Sequence, residues 1–312
     1  MMMKKFKEIL FLKNLNRVGK KSIFGKYWNI LNESNDLDDL ILKIKNVNAK
    51  FSDDEYLQSV KDKVNKIYDE VITSDIHVIT IFDDNYPEKL KIMENEKPLI
   101  LYIKGEVEIL EKPNISFIGT RNPSHSSEFF ENKIIKAILD TSERVIVSGL
   151  ALGCDKIAHQ TTVDENKPTI AVLPSGVNII KPAKHKKLAE DIIKTGGCLV
   201  SEYEPNKTPY KQEYIDRDKI VAAISDAIFV VECGVKSGTM HTVKFADNYQ
   251  KPVFSYLPDE RDEDSYDGNR FILNDFKNSF KVDDVEGFIT NLNQVNTSKK
   301  SKFPNDFQTK LV

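Results

Sequence analysis

Between residues 114 and 256, six short apolar runs (ISFIG, VIVSG, TIAVLPSG, CLVSE, AIFVVE and PVFSY) alternate with segments of helical spacing. Runs this short, rich in Val and Ile and without polar alternation, read as strands buried on both faces. That restricts the chain to an α/β fold, a mostly parallel sheet with helices covering both sides. Upstream, HVITIF and LILYI predict two more strands around the turn-rich DDNYPEKL, and FKVDDVEGFITNLN predicts a last strand and helix.

Residues 1–75 have a different texture, with Leu, Ile, Val and Phe at three- and four-residue spacings and almost no Gly or Pro. They predict a small helical domain ahead of an α/β domain over 76–292. The total of 312 residues suits two domains at roughly 150 residues each. DERDEDSYDG (259–268) reads as an acidic loop and 293–312 as a mobile tail.

Charge matters because it bears on ligands. Lys and Arg number 45 against 48 Asp and Glu, which excludes a general polycation but leaves room for a local basic groove. The balance is uneven: residues 1–31 hold eight basic side chains against Glu8 alone, and the next stretch swings acidic. Cys154, Cys198 and Cys233 lack any CxxC spacing, which fits a reduced cytoplasm and argues against a disulfide framework or a zinc site. The opening apolar run Ile9–Leu12 is too short for a secretory signal core, and no stretch approaches a bilayer span.

Three strands run into small-residue turns: Gly119-Thr120-Arg121-Asn122-Pro123-Ser124, then Ser148-Gly149-Leu150-Ala151-Leu152-Gly153, and Ser237-Gly238-Thr239. In a parallel sheet all three fall at the carboxyl edge, where exposed amides and helix N-termini favour anions. Arg121 adds a forked cation suited to phosphate, unless it is a surface ion pair. Arg217 and Lys219, near the start of a helix, either join that groove or decorate a solvated face. Asp155 and His159, spaced i, i+4, read as a structural pair orienting the turn rather than as an acid/base couple. Tyr203, Tyr210 and Tyr214 interleave with Lys207 and Lys211, a pattern suited either to base stacking beside phosphates or to packed loop tyrosines. Walker, HExxH, GxSxG and GxGxxG motifs are absent, and neither a metal nor a cofactor is expected.

The phrases FIGTRNPS, IVSGLALGCDKIAH, TIAVLPSGVN, LVSEYEP, DRDKIVAAISDAIFVVE and SGTMHTVKFA, in this order, resemble the DprA/Smf (DNA-processing protein A) family over about 110–260. The resemblance implies an extended Rossmann-like doubly wound sheet, single-stranded-DNA binding, homodimerisation, handover to a RecA-type recombinase in natural transformation, and no established catalysis. By position it makes Arg121 a principal phosphate contact and puts Gly119, Thr120, Ser148, Gly149, Ser237, Gly238 and Thr239 around the phosphate pocket. Arg217 and Lys219 would take the two basic positions of the family's R-N-R stretch. Tyr214 would be the candidate for base stacking.

The chain also departs from the pattern. Asp218 stands where the family has Asn, Leu152 where some members carry a basic residue, and LNRVGKKSI keeps only the second half of a helix-hairpin-helix turn. The winged-helix domain that follows in many members is expected to be absent. Two other readings stay open: a nucleotide-sensing protein of a related superfamily, and a phosphoribohydrolase-like enzyme, whose catalytic Glu position is held here by Thr242.

Overall fold

The computed structural model describes residues 3–258 and 265–300. Most of the acidic loop and the last twelve residues of the expected tail lie outside the described residues.

The nine expected strands all form. They are β1 (Ile76–Thr80), β2 (Ile100–Gly105), β3 (Asn114–Ile118), β4 (Val145–Ser148), β5 (Thr169–Val172), β6 (Cys198–Ser201), β7 (Ile228–Val230), β8 (Val253–Tyr256) and β9 (Ser279–Val282). They build one sheet in the order β1-β2-β6-β5-β4-β3-β7-β8-β9. β1, β2 and β6 pair antiparallel, and every other neighbour is parallel.

Twelve α-helices accompany the sheet among the described residues. The front end holds α1 (Phe6–Asn14), the single turn α2 (Lys20–Ser22), α3 (Trp28–Glu33), α4 (Leu37–Val47) and α5 (Asp54–Ile72). The sheet region adds α6 (His125–Thr141), α7 (Cys154–Asp164), α8 (Lys186–Lys194), α9 (Lys211–Ile224), α10 (Thr239–Asn248), α11 (Asp267–Asp275) and α12 (Val285–Lys300). α12 runs on through Lys300, so the first eight residues of the stretch expected to be a tail from 293 are helical. None of the described helices is long and apolar enough to cross a membrane.

Strand periodicity sorts the core into two layers. Ile228 and Val230 of β7 face α9, α10 and α11, whereas Phe229 between them faces α6, α7 and α12. Phe229 stacks on Phe117 of β3 with ring centroids 4.8 Å apart, and burying each such ring is worth about 1.5–3 kcal/mol. The three cysteines are free and buried.

β2 divides its side chains in the same way: Leu101 and Ile103 join the main core, while Ile100 and Tyr102 pack under the front-end helices. α5 presents Leu57, Val60, Val64, Ile67 and Val71 as one stripe, and α1 adds Phe6, Ile9 and Leu10. Asp53 and Asp36 cap α5 and α4 by accepting the Tyr56 and Asp39 amides.

The front-end cations are largely used internally. Lys4 pairs with Asp84 at 3.1 Å, Lys7 bonds Asn65, and Lys13 and Lys20 reach the Glu202 carbonyl and carboxylate on the strand β6 side. Burial lowers the Lys13 pKa from its ordinary value. Lys4, Lys13 and Lys20 thus stitch the front-end helices to the sheet region. Arg17 and Lys21 remain exposed and make no ion pair among the described residues.

Candidate functional site

β3 sits where the strand order reverses: the chain continues from it to β4 on one side, and β7 closes the other. Such switch points leave a crevice at the carboxyl ends of the strands. Here the crevice is a cleft of about 710 Å³, lined by all three predicted turns and one face of α9.

The turns are fastened to one another through the backbone. The Thr120 amide donates to Glu232 O at 2.7 Å, and the Cys154 amide to Thr120 O at 3.1 Å. The Glu232 carboxylate accepts the Ser124 amide (2.9 Å) and hydroxyl (2.7 Å). Gly153 is held at φ +72, and a Cβ there would lie 2.3 Å from Thr120 O. Gly153→Ala is therefore expected to cost about 1–3 kcal/mol and to push the Arg121 turn out of place. Denaturant midpoint and ligand affinity should fall together in that variant. A variant as stable as the parent would refute the packing argument.

Gly119, Thr120, Arg121, Gly149, Tyr214, Arg217, Ser237, Gly238 and Thr239 all line the cleft. Arg121 is exposed at its opening and has no ion-pair partner among the described residues, so the surface-pair alternative has no support. Lys211, exposed at the first position of α9, lines the same cleft with no ion pair among the described residues.

Arg217 plays a different part from the exposed contact expected of it. It is 7% exposed. Its Nη1 donates to Gly149 O at 2.5 Å and Val172 O at 3.2 Å, and its Nε to Asp218 Oδ1 at 3.0 Å. A Cβ on Gly149 would sit 1.4 Å from Nη1, so only glycine admits the guanidinium there. Asp155 Oδ2 lies 3.9 Å from Nη1 and accepts the Gly149 and Ala151 amides at 3.1 and 3.2 Å. Arg217 is a clamp between the β4 turn, β5 and α9, with Nη2 alone left without a partner among the described residues.

Three further expectations are corrected. Lys219 is two residues from Arg217, about 200° around the helix, so it cannot share the cleft face. It pairs instead with Glu96 (3.2 Å) and Asp216 (3.6 Å). Ser148 is fully buried and donates to Phe117 O at 2.7 Å, tying β4 to β3 behind the cleft. Asp155 and His159 do not bond each other: Asp155 is drawn to the turn amides, while His159 Nδ1 meets the Thr169 hydroxyl at 2.9 Å.

Burial, helped by His185 and Arg217, pushes the His159 pKa down to about 3, so the ring is neutral at physiological pH. Burial raises both Asp155 and Asp218 above the usual carboxylate range, against the pull of Arg217. Asp218 lines the cleft wall through a side chain only 15% exposed. His241 also lines the cleft and was not foreseen. Its signal was its place in the first turn after SGTM, one helical turn beyond Gly238.

Residues 77–290 match the model of the DNA recombination-mediator protein A family. The chain belongs to that family. Protein Smf of Synechocystis is 34% identical over 188 residues, 59% of this chain and 46% of its own length. The DprA of Streptococcus pneumoniae is 32% identical over 176 residues, and the match takes in 61% of it. The chain thus spans about two fifths to three fifths of the length of the curated relatives it matches. Among solved structures, DNA processing protein A from Helicobacter pylori, a protein with a single-stranded DNA binding mode, superposes with a TM-score of 0.62 at 28% identity. That match covers 72% of this chain and 96% of the other. The Streptococcus pneumoniae structure gives 0.72 over 93% of this chain and 98% of its own, at 24% identity, a likeness in fold. The recombination-mediator family match starts at β1 and so takes in the whole cleft.

Proposed function

We propose that the chain binds single-stranded DNA at this cleft and serves as a mediator that brings a RecA-type recombinase onto the strand, acting in the cytoplasm as a homodimer. In this reading the 76–292 region carries the ligand site, and the helical 1–75 region packs against β1 and β2 away from it. The single observation that carries the reading is Arg121: an exposed, unpaired guanidinium at the opening of a cleft built from three strand-to-helix turns. Phosphate oxygens match that fork, and the N-terminus of α10 adds partial positive charge.

Binding of labelled oligo-dT, followed by fluorescence anisotropy across a salt series, tests it. Arg121→Ala should weaken binding roughly 10- to 100-fold. It should also lower the log–log salt slope by about 0.7, the single-strand value for one phosphate contact. An unchanged isotherm would remove Arg121 from the interface. Recombinase delivery is tested separately, by whether the chain speeds recombinase assembly on a strand already coated with single-strand-binding protein.

A second reading, a sensor of a free nucleotide, draws on Asp155 and Asp218. Two carboxylates at the cleft wall suit a ligand bearing hydroxyl or base N–H donors better than a bare phosphodiester. Mononucleotides that compete at low concentration, with negligible oligo-dT binding, would favour it. A phosphoribohydrolase has less support, because Thr242 offers no ionisable group at the position in question.

A further inference from the structure

The two most exposed large hydrophobic side chains among the described residues are aromatic, Phe129 (72% exposed) and Tyr210 (73% exposed). Tyr210 is the N-cap of α9, whose first turn lines the cleft through Lys211 and Tyr214, and Phe129 lies on α6, the helix that follows the cleft-lining Arg121 turn. α6 starts four residues beyond Arg121, and its outer face carries His125, Phe129 and Lys133 at i, i+4 spacing. With a rise of 1.5 Å per residue, that sets an aromatic ring and a cation about 6 and 12 Å from the head of the helix. All three are exposed, and Lys133 has no ion pair among the described residues. On the other side, Tyr210 caps α9 immediately before the cleft-lining Lys211, and Lys207 Nζ lies 4.9 Å from its ring centroid.

We infer that a single nucleic-acid strand crosses the cleft opening, its bases stacked on Phe129 on one flank and Tyr210 on the other, with Arg121 and Lys211 holding the phosphates between. This rests on the single-strand reading above and extends it, since neither ring belongs to the phosphate pocket. The occupant is argued from chemistry: exposed rings interleaved with unpaired cations, continuous with an anion-binding turn, match stacked bases and their linking phosphates. A purely apolar partner would leave Arg121, Lys133 and Lys211 facing nothing.

Stacking and phosphate contacts differ in their response to salt. Phe129→Ala and Tyr210→Ala should each weaken oligo-dT20 binding by about 5- to 150-fold with an unchanged salt slope. Arg121→Ala should lower the slope. Phe129→Trp should keep the affinity and Phe129→Leu should lose it, because a leucine is apolar but has no ring face. A 2-aminopurine base placed along the oligonucleotide should be quenched by the parent protein and less so by Phe129→Ala.

The inference is overturned if both alanine variants bind within twofold of the parent while Arg121→Ala is impaired; the single-strand reading would then survive alone. It is also overturned if Phe129→Ala changes the mass measured by light scattering and Phe129→Leu restores it, which would make this face a contact between copies. If the parent binds no oligo-dT, the single-strand reading itself falls, and this inference with it.

Discussion

Arg217→Ala should unfold at a markedly lower urea concentration than the parent, with a loss of about 3–5 kcal/mol. The substitution removes one cation and with it a partner of four groups at once: the countercharge of the Asp155 and Asp218 carboxylates and the donor to the Gly149 and Val172 carbonyls, leaving Asp155 only its two turn amides. Most of the cost is the penalty of leaving buried anions unmatched rather than the worth of any one bond. Adding Asp155→Asn to the alanine variant should therefore restore part of the stability, a coupling measurable in a double-mutant cycle. Arg217→Lys should rescue poorly, since an ammonium cannot hold two carbonyls and a carboxylate in one plane. An alanine variant that keeps its unfolding midpoint and loses only oligonucleotide affinity would make Arg217 a ligand contact instead of a clamp.

Glu131→Gln should do the reverse and stabilise the protein, increasingly so as pH rises. Glu131 lies on α6 fully buried, and neither carboxylate oxygen is hydrogen-bonded. Burial, reinforced by the nearby Asp155 charge, holds its pKa well above the usual carboxylate range, and the Cys154 thiol offsets this only weakly. A carboxyl raised in the folded state favours folding below the unfolded value of about 4.3, and that contribution is lost as pH climbs through the folded value. Glutamine does not titrate. Its advantage should be near zero at pH 4 and grow by about 1.4 kcal/mol per pH unit above the unfolded value until Glu131 ionises in the folded chain. Urea midpoints measured from pH 4 to 8 check this, and parallel profiles for the two proteins would refute it.

Much of this was written plainly in the sequence. The β-branched runs specify nine strands, and the turns after three of them must gather on one edge because parallel strands share a direction. Arg121 was readable because a cation inside a glycine turn has few places to go. The inner wall was harder. Whether Arg217 and Lys219 act together depends on where α9 starts, and that start is set by a cap the motif does not advertise: the Tyr210 amide donates to the Glu213 carboxylate at 2.6 Å. With the helix register known, Lys219 turns away. The i, i+4 spacing of Asp155 and His159 placed both on one helix without revealing stronger partners, two turn amides for one and Thr169 of β5 for the other. The partners of Lys4 and Lys20 were likewise invisible locally, because Asp84 and Glu202 lie far along the chain.

That internal pairing has a kinetic consequence. With a net charge of −3, and with Lys4 and Lys20 of the front end paired to Asp84 and Glu202, the molecule as a whole presents no strong positive field to a distant polyanion. Encounter with a strand should then proceed near the unsteered range of about 10⁵–10⁶ M⁻¹s⁻¹, accelerated only locally by Arg121 at the rim. Discrimination moves to the other half of the equilibrium: how long a strand stays depends on the fit of a rigid backbone cradle, so differences between ligands should surface as residence times.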